Sequence, residues 1–222
     1  LIRRQRQMCI RDSEYDVHDA FLDEKMHKAI TIMQFKLEGQ LIKEHPEFEM
    51  EKRLLLDKIN IEKGTVCVEE TEYPLKDVSF PTIDWEDPYR LSEDEADVME
   101  RLVTAFVNCE KLQRHVRFLY TQGSLYKVYN GNLLYHGCVP LNEDGTFTRV
   151  NVFGKEYAGK ELYDVLEGYA RKGYYAIDPK EKKKGQDILW FIWENQNSPV
   201  FGKAKMTTFE RYFIADKKTH QE

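Results

Sequence analysis

Apolar residues recur with helical spacing over two long stretches of the chain. Over Asp16–Lys43 they fall three or four positions apart, which predicts a helix that ends before Pro46, with Gly39 as an alternative end ahead of Leu41-Ile42. Ser92 followed by Glu95 forms a capping-box sequence, which predicts the start of the clearest helix, and Gly123 is expected to end it. The two best-defined helices therefore lie before the proline and between the capping box and the glycine.

Weaker patterns predict the remaining elements. We expect short helices at Phe48–Leu56 and Lys160–Arg171, a charged loop at Lys180–Lys184, a buried helix at Ile188–Glu194 and a last helix with a capping box at Thr207 and Glu210. Short apolar runs between turn residues predict strands at Lys58–Ile61, Thr65–Val68, Thr71–Leu75, Ser124–Val128, Asn132–Tyr135 and Thr146–Val152. Asn130-Gly131 is a typical two-residue hairpin turn. The pattern predicts the α+β class.

Composition narrows the functional classes. The 222 residues are 41% hydrophobic and 32% charged, with a net charge of −6, which is typical of a soluble globular protein and argues against general binding of nucleic acid. No apolar run approaches the ~20 residues of a membrane span, and we expect no secretion signal. The four cysteines lie far apart, which predicts neither a zinc knuckle nor a disulfide framework and favours a reducing cytoplasm.

The first thirteen residues differ in character from the rest. Leu1–Ser13 carries four arginines and one aspartate, and Gln7–Ser13 resembles the translation of a transposon adapter used in shotgun sequencing. We interpret residues 1–13 as foreign to the fold. The alternative is a basic arm that binds nucleic acid or a membrane surface.

His136 is the most informative candidate for chemistry. It ends a short apolar strand and is followed by Gly137, so the imidazole is held on a rigid element and the backbone there can approach an ion or a phosphate. A lone histidine at a strand end is more often structural, and a hydrolytic metal pair needs several ligands. From the residues alone, both interpretations stay open.

Other reactive residues give weaker signals. His18, His27 and His45 lie on or beside helices without a third ligand in evidence, and His115 belongs to a cationic helix segment that is typical of a solvated face. Cys138 lies near His136 and is a candidate nucleophile, but no general base that would activate its thiol is evident.

Several long strings resemble class III fructose-1,6-bisphosphatases, the type found mainly in Firmicutes. The strings are Met33–Glu38, Gly123–Tyr126, Tyr129–Pro140, Tyr157–Gly159, Leu189–Trp193, Phe201–Lys203 and Met206–Ile214. They occur in order over essentially everything from about Tyr15 to Glu222.

The resemblance implies a fold and a cofactor. Class III enzymes look like elaborated calcineurin-like metallophosphoesterases, in which two metal ions lie at strand ends of a β-sandwich flanked by helices. His136-Gly137 matches the His-Gly motif of that superfamily, so the resemblance implies that His136 is a metal ligand. It also implies two divalent ions, with manganese as the expected metal, which activate water to release the 1-phosphate of fructose 1,6-bisphosphate in gluconeogenesis. Asn130, Asn132 and Tyr135 are candidates to orient the imidazole.

The chain departs from the family pattern in two respects. The three N-terminal metal motifs and the final Gly-His motif are absent from it. We therefore expect an internal fragment, with residues 14–91 forming a helical and hairpin insertion and residues 92–222 a partial phosphoesterase core truncated at both ends. Alone it should be inactive and should expose apolar surface.

The remaining expectations concern contacts and alternatives. Lys127, Lys203 and Arg211 are candidates for contact with the sugar bisphosphate, and the oligomeric state is left open. One alternative is a non-catalytic interaction module that uses the Trp85 loop and the Thr65–Leu75 hairpin. Another is a fragment of a phosphoprotein phosphatase, which shares the His-Gly motif.

Overall fold

A computed structural model describes residues 20–202, 204 and 206–215, and it confirms the α+β class. The helices are α1 (Ala20–Glu44), α2 (Glu93–Val107), α3 (Glu110–Gln122), α4 (Gly159–Tyr175), α5 (Pro179–Glu194) and α6 (Thr207–Phe213). The strands are β1 (Ile59–Asn60), β2 (Thr65–Val68), β3 (Thr71–Pro74), β4 (Tyr126–Tyr129), β5 (Asn132–Tyr135), β6 (Val150–Val152) and β7 (Lys155–Tyr157). The foreign segment predicted at residues 1–13 lies outside the described residues.

All described strand pairs are antiparallel. Strands β1, β2 and β3 form one sheet in that order, and β4–β5 and β6–β7 are separate hairpins. In the β4–β5 hairpin Tyr126 lies opposite Tyr135, and the turn residues Asn130 and Gly131 both have positive φ, at 50° and 75°. Asparagine and glycine tolerate this conformation, so the predicted hairpin is confirmed together with its turn.

Residues 1–35 and 36–222 form two compact units. In the first unit Ile32, Met33 and Phe35 are buried. The core of the second unit combines residues of α4 and α5 with both ends of β6 and with Ile42 and Phe48. The boundary predicted between residues 91 and 92 stays a prediction. No helix within the described residues has both the length and the hydropathy of a membrane span.

Helices α4 and α5 approach each other closely at two glycines. A methyl group on Gly185 would lie 2.1 Å from the Gly173 nitrogen and 2.4 Å from the Tyr169 carbonyl oxygen. Only a residue without a side chain fits such a backbone contact. These glycines therefore set the spacing of the two helices that form most of the core.

The structure corrects the helix predicted at Phe48–Leu56. This region consists of three short 3-10 turns, at Pro46–Phe48, Glu51–Arg53 and Leu56–Lys58. Glu49 has a left-handed φ of 54° and ends the first turn. Buried Met50 would lie on the face of a continuous helix opposite to buried Phe48 and Leu55, so such a helix would expose one of these faces.

Two further helix predictions were wrong in their boundaries. The charged stretch Lys180–Lys184 is the first part of α5, because Asp178 caps that helix by accepting from the Glu181 amide at 2.9 Å. The long helix from Ser92 breaks at Asn108 into α2 and α3, although its capping box is confirmed.

Smaller corrections concern the start of the last helix and the extent of the strand predicted at Thr146–Val152. Met206, not Thr207, is the N-cap of α6, and the Met206 side chain makes no capping hydrogen bond. Of the strand predicted at Thr146–Val152, only Val150–Val152 forms β6.

Candidate functional site

His136 follows the last residue pair of the β4–β5 hairpin and is exposed to solvent. The backbone just after it lies against the loop that follows α5. A methyl group on Gly137 would lie 2.5 Å from the Pro199 carbonyl oxygen and 2.6 Å from the Val200 carbonyl oxygen. The space that a side chain at position 137 would need is therefore taken by protein backbone, so an ion or a phosphate cannot occupy that side of Gly137.

Hydrogen bonds hold the residue after Gly137 from two directions. The Cys138 amide donates to the Pro199 carbonyl oxygen at 3.1 Å, and the Tyr163 hydroxyl donates to the Cys138 carbonyl oxygen at 2.7 Å. Burial raises the pKa of Tyr163 to about 12, so the phenol keeps its donor proton at neutral pH. The Cys138 thiol points to the Ser198 carbonyl oxygen at 3.5 Å, which is a structural contact.

The imidazole of His136 has no hydrogen-bond partner among the described residues. Of the candidates to orient it, Asn132 donates instead to the Asn130 carbonyl oxygen at 3.2 Å. His136 also belongs to no described group of three possible metal ligands. Among the described residues, His136 is thus an exposed imidazole that is not joined by other possible ligands, and its role as a metal ligand stays a prediction.

Lys127 lies on β4 in the same hairpin as His136. It borders an open groove of about 500 Å³, which is also lined by Ser124, Asp164, Glu167 and Arg171. Arg171 bonds Glu167 at 2.7 Å and the Gly123 carbonyl oxygen at 2.8 Å, so its charge serves the fold. Lys127 has no ion-pair or hydrogen-bond partner within the described part of the chain, and its role in substrate contact stays a prediction.

The other two predicted substrate contacts are not brought to this hairpin. Arg211 is exposed on α6, and its carbonyl oxygen accepts from Lys76 at 2.6 Å. No described contact joins Arg211 to His136 or Lys127. Lys203 lies outside the described residues.

The structure brings together a second group of possible ligands that the sequence did not reveal. Glu44, His45 and Asp187 each place one ligand atom within 4.8 Å of the others. The His45 Nε2 atom lies 3.0 Å from an Asp187 oxygen, and its ring stacks on Phe48. His45 and Asp187 are 142 positions apart, so only a knowledge of how α5 packs would have found this group.

A lysine already pairs with both carboxylates of this group. The Lys183 ammonium lies 2.9 Å from a Glu44 oxygen and 2.6 Å from an Asp187 oxygen. A hydrogen bond from Lys183 lowers the pKa of Glu44. Partial burial of Lys183 opposes its charged form, but the carboxylates of Asp187 and Glu44 raise the pKa of Lys183 overall. The arrangement is therefore an internal ion-pair cluster whose cation is a side chain.

Comparison with known proteins supplies the family. The model of the Firmicute fructose-1,6-bisphosphatase family matches residues 4–222, and this range includes most of the segment interpreted as foreign, an interpretation that stays a prediction. No solved structure matches the chain.

The curated relatives agree with this match. The chain is 55% identical over 212 residues to the fructose-1,6-bisphosphatase class 3 of Clostridium tetani (strain Massachusetts / E88), covering 95% of the chain and 32% of that relative. The class 3 enzyme of Clostridium acetobutylicum (strain ATCC 824) is 56% identical with the same coverage. The chain thus spans about a third of the length of these relatives, and it belongs to the family of Firmicute fructose-1,6-bisphosphatases.

Proposed function

We propose that this chain is one part of a fructose-1,6-bisphosphatase, which hydrolyses the 1-phosphate of fructose 1,6-bisphosphate to give fructose 6-phosphate and phosphate in gluconeogenesis. The observation that carries the proposal is the family match over nearly the whole chain, together with about 55% identity to proteins named class 3 fructose-1,6-bisphosphatase. Identity at this level over 212 residues favours a shared activity over a phosphoprotein phosphatase.

The metal part of the proposal rests on His136. Its exposed ring, free of described hydrogen bonds, suits one ligand of a divalent ion, and we propose manganese as the ion and a calcineurin-like sandwich as the complete fold. When bound, two such metal ions would activate a water and stabilise charge on the phosphate. The chain's own contribution is to hold one imidazole and to place Lys127 on the same hairpin. The described residues supply no further ligand beside His136, so we propose that the other ligands come from the rest of the full-length enzyme. The proposed location is the cytoplasm.

The test compares the full-length enzyme with this chain. We expect the full-length protein to release phosphate from fructose 1,6-bisphosphate in the presence of manganese, and we expect His136→Ala to reduce both manganese content and turnover. The 222-residue chain should release none, because it supplies a single described ligand at His136. Lys58→Ala, on the last 3-10 turn and outside the hairpin, controls for the effect of substitution.

Two results would contradict the proposal. Turnover by the 222-residue chain would mean that it holds a complete site. Preference of the full-length enzyme for a phosphoserine peptide over the sugar bisphosphate would favour the phosphatase alternative instead.

A further inference from the structure

We propose that Tyr163 and the Ser198–Val200 loop are positioning residues for His136, in that they fix the backbone that carries its imidazole. This inference rests on the proposed function, which makes His136 a metal ligand. It goes further because it assigns a role to residues that lie 27 to 64 positions from the histidine and that bear no metal-binding chemistry of their own.

The first support is the close contact at Gly137. Two carbonyl oxygens of the loop occupy the space that any side chain at this position would need, at 2.5 Å and 2.6 Å from the site of a methyl group. Real Cβ atoms do not tolerate such distances from backbone atoms. A glycine directly after the histidine is therefore required by the loop, and the contact fixes how far the strand end stands from it.

The second support is the pair of hydrogen bonds to Cys138. The Pro199 carbonyl oxygen accepts from its amide at 3.1 Å, and Tyr163 donates to its carbonyl oxygen at 2.7 Å. Both backbone polar groups of Cys138 are thus bound, the amide to the loop and the carbonyl to α4. Tyr163 is only 4% exposed and belongs to a core helix, so the anchor is itself rigid.

Buried hydrogen bonds also fix the loop that carries Ser198–Val200. Ser198 is fully buried, donates to the Ile192 carbonyl oxygen and accepts from the Val200 amide at 3.1 Å. Asn195 is 1% exposed and donates to the Phe48 carbonyl oxygen at 2.7 Å. The loop is therefore tied to α5 and to the first 3-10 turn before it meets Gly137.

These contacts matter for a metal ligand because His136 has no described partner of its own. A ligand that lacks a hydrogen bond to its second ring nitrogen depends on its backbone for orientation, and loss of such support typically weakens metal binding. Fixing the backbone at Gly137 and Cys138, directly after the histidine, restricts the histidine without touching its ring.

The experiment uses two variants with matched controls. Tyr163→Phe removes one hydrogen bond, and Gly137→Ala pushes a methyl group into the loop. Tyr174→Phe removes a hydroxyl from the same helix, and Gly168→Ala adds a methyl group where no atom lies within 4 Å. Ile188→Val loosens the core elsewhere and shows what general destabilisation does. Manganese affinity is measured by equilibrium dialysis of the full-length enzyme, and exchange of the Cys138 amide by NMR of the 222-residue chain.

We expect Tyr163→Phe and Gly137→Ala to weaken manganese binding about tenfold, as loss of ligand support does elsewhere. Exchange of the Cys138 amide should become about fivefold faster in Tyr163→Phe, because loss of the hydrogen bond to the Cys138 carbonyl oxygen loosens the backbone that carries this amide. A factor of about five corresponds to the contribution of one hydrogen bond to stability. The three control variants should match the wild type in both measurements.

The outcomes separate the two proposals. If His136→Ala abolishes manganese binding while Tyr163→Phe and Gly137→Ala bind as the wild type, the positioning proposal is wrong and the proposed function stands. If His136→Ala binds manganese normally, the metal role fails and the positioning role fails with it. Because Tyr163→Phe keeps the ring and the fold, it decides the matter even if Gly137→Ala does not fold.

Discussion

At the scale of single residues, two buried carboxyl groups share one cation. Glu38 accepts from the Arg53 guanidinium, and the Glu194 carboxyl lies beside that of Glu38. Burial and the neighbouring Glu38 charge raise the pKa of Glu194 to about 9, and burial also raises that of Glu38 while Arg53 opposes it. Glu194 therefore carries a proton at neutral pH and can donate it to Glu38, which leaves the cluster electrically neutral.

This proton makes stability depend on pH. Between its unfolded pKa near 4.5 and its folded pKa of about 9, Glu194 binds more proton in the folded state, so the free energy of unfolding falls as pH rises across that window. Glu194→Gln keeps a donor without the titration and should remove a slope of about 1.4 kcal/mol per pH unit. Urea unfolding from pH 5 to 9 measures it, with the exposed Glu70→Gln as control. An unchanged slope would refute the shared proton.

A second buried charge is fully satisfied. Lys36 has no exposed surface, and its ammonium lies 2.6 Å from both the Thr82 carbonyl oxygen and a Glu95 oxygen. Burial alone would raise the pKa of Glu95, but the hydrogen bonds from Lys36 and the Ser92 amide lower it. The same carboxylate therefore caps α2 and neutralises the lysine.

Lys36→Met should cost about 3–5 kcal/mol of unfolding free energy, because it leaves Glu95 buried without its cation. Since the pKa of Glu95 is lowered, its contribution should be lost in the wild type as pH falls below the ordinary range of a carboxyl group. The double variant Lys36→Met with Glu95→Gln should recover part of the loss. Additive losses in the double-mutant cycle would mean that the pair is not coupled.

At the scale of elements, sequence patterns predicted structure correctly where neighbouring residues alone determine the backbone conformation. The Asn-Gly turn fixed β4–β5, and Ser92 with Glu95 fixed the start of α2. The 3-10 turns after Pro46 were missed because tertiary burial, not periodicity, determines them. Position 136 was found through a family motif, but the contact of the following Gly137 with Pro199 joins residues more than 60 positions apart, and no local pattern encodes such a contact.

The helix pair α4–α5 gives a sharp test of packing. Gly185→Ala places a methyl group 2.1 Å from the Gly173 nitrogen, so the helices must separate, and overpacking of this kind costs typically 1–3 kcal/mol or more. Gly168→Ala, in α4 with open space around it, should instead stabilise by up to about 1 kcal/mol through helix propensity. Thermal unfolding of both variants measures the contrast. Equal effects would show that the close approach is absent.

At the scale of the whole molecule, the described chain leaves large apolar side chains in solvent, as the sequence led us to expect. They include Val103, Phe106 and Val107 on α2, Phe118 and Leu119 on α3, and Leu133 and Leu134 on β5. Neither α2 nor α3 contains a buried apolar residue. Because the curated relatives are about three times as long, we expect other segments to cover these faces in a protein of their length.

This exposure predicts how the isolated chain behaves. Phe118 and Leu119 are each 64% exposed, so Phe118→Lys and Leu119→Lys should leave the free energy of unfolding within about 0.5 kcal/mol of the wild type, as surface changes do. The same changes should reduce self-association, because apolar patches of this kind drive it. Sedimentation velocity and urea unfolding of the 222-residue chain measure the two effects. In the full-length enzyme, where we expect the face to be covered, the same lysines should destabilise, since they would bury an unpaired charge. A loss of several kcal/mol in the isolated chain would instead mean that α3 is packed there, and indifference in the full-length enzyme would mean that nothing covers it.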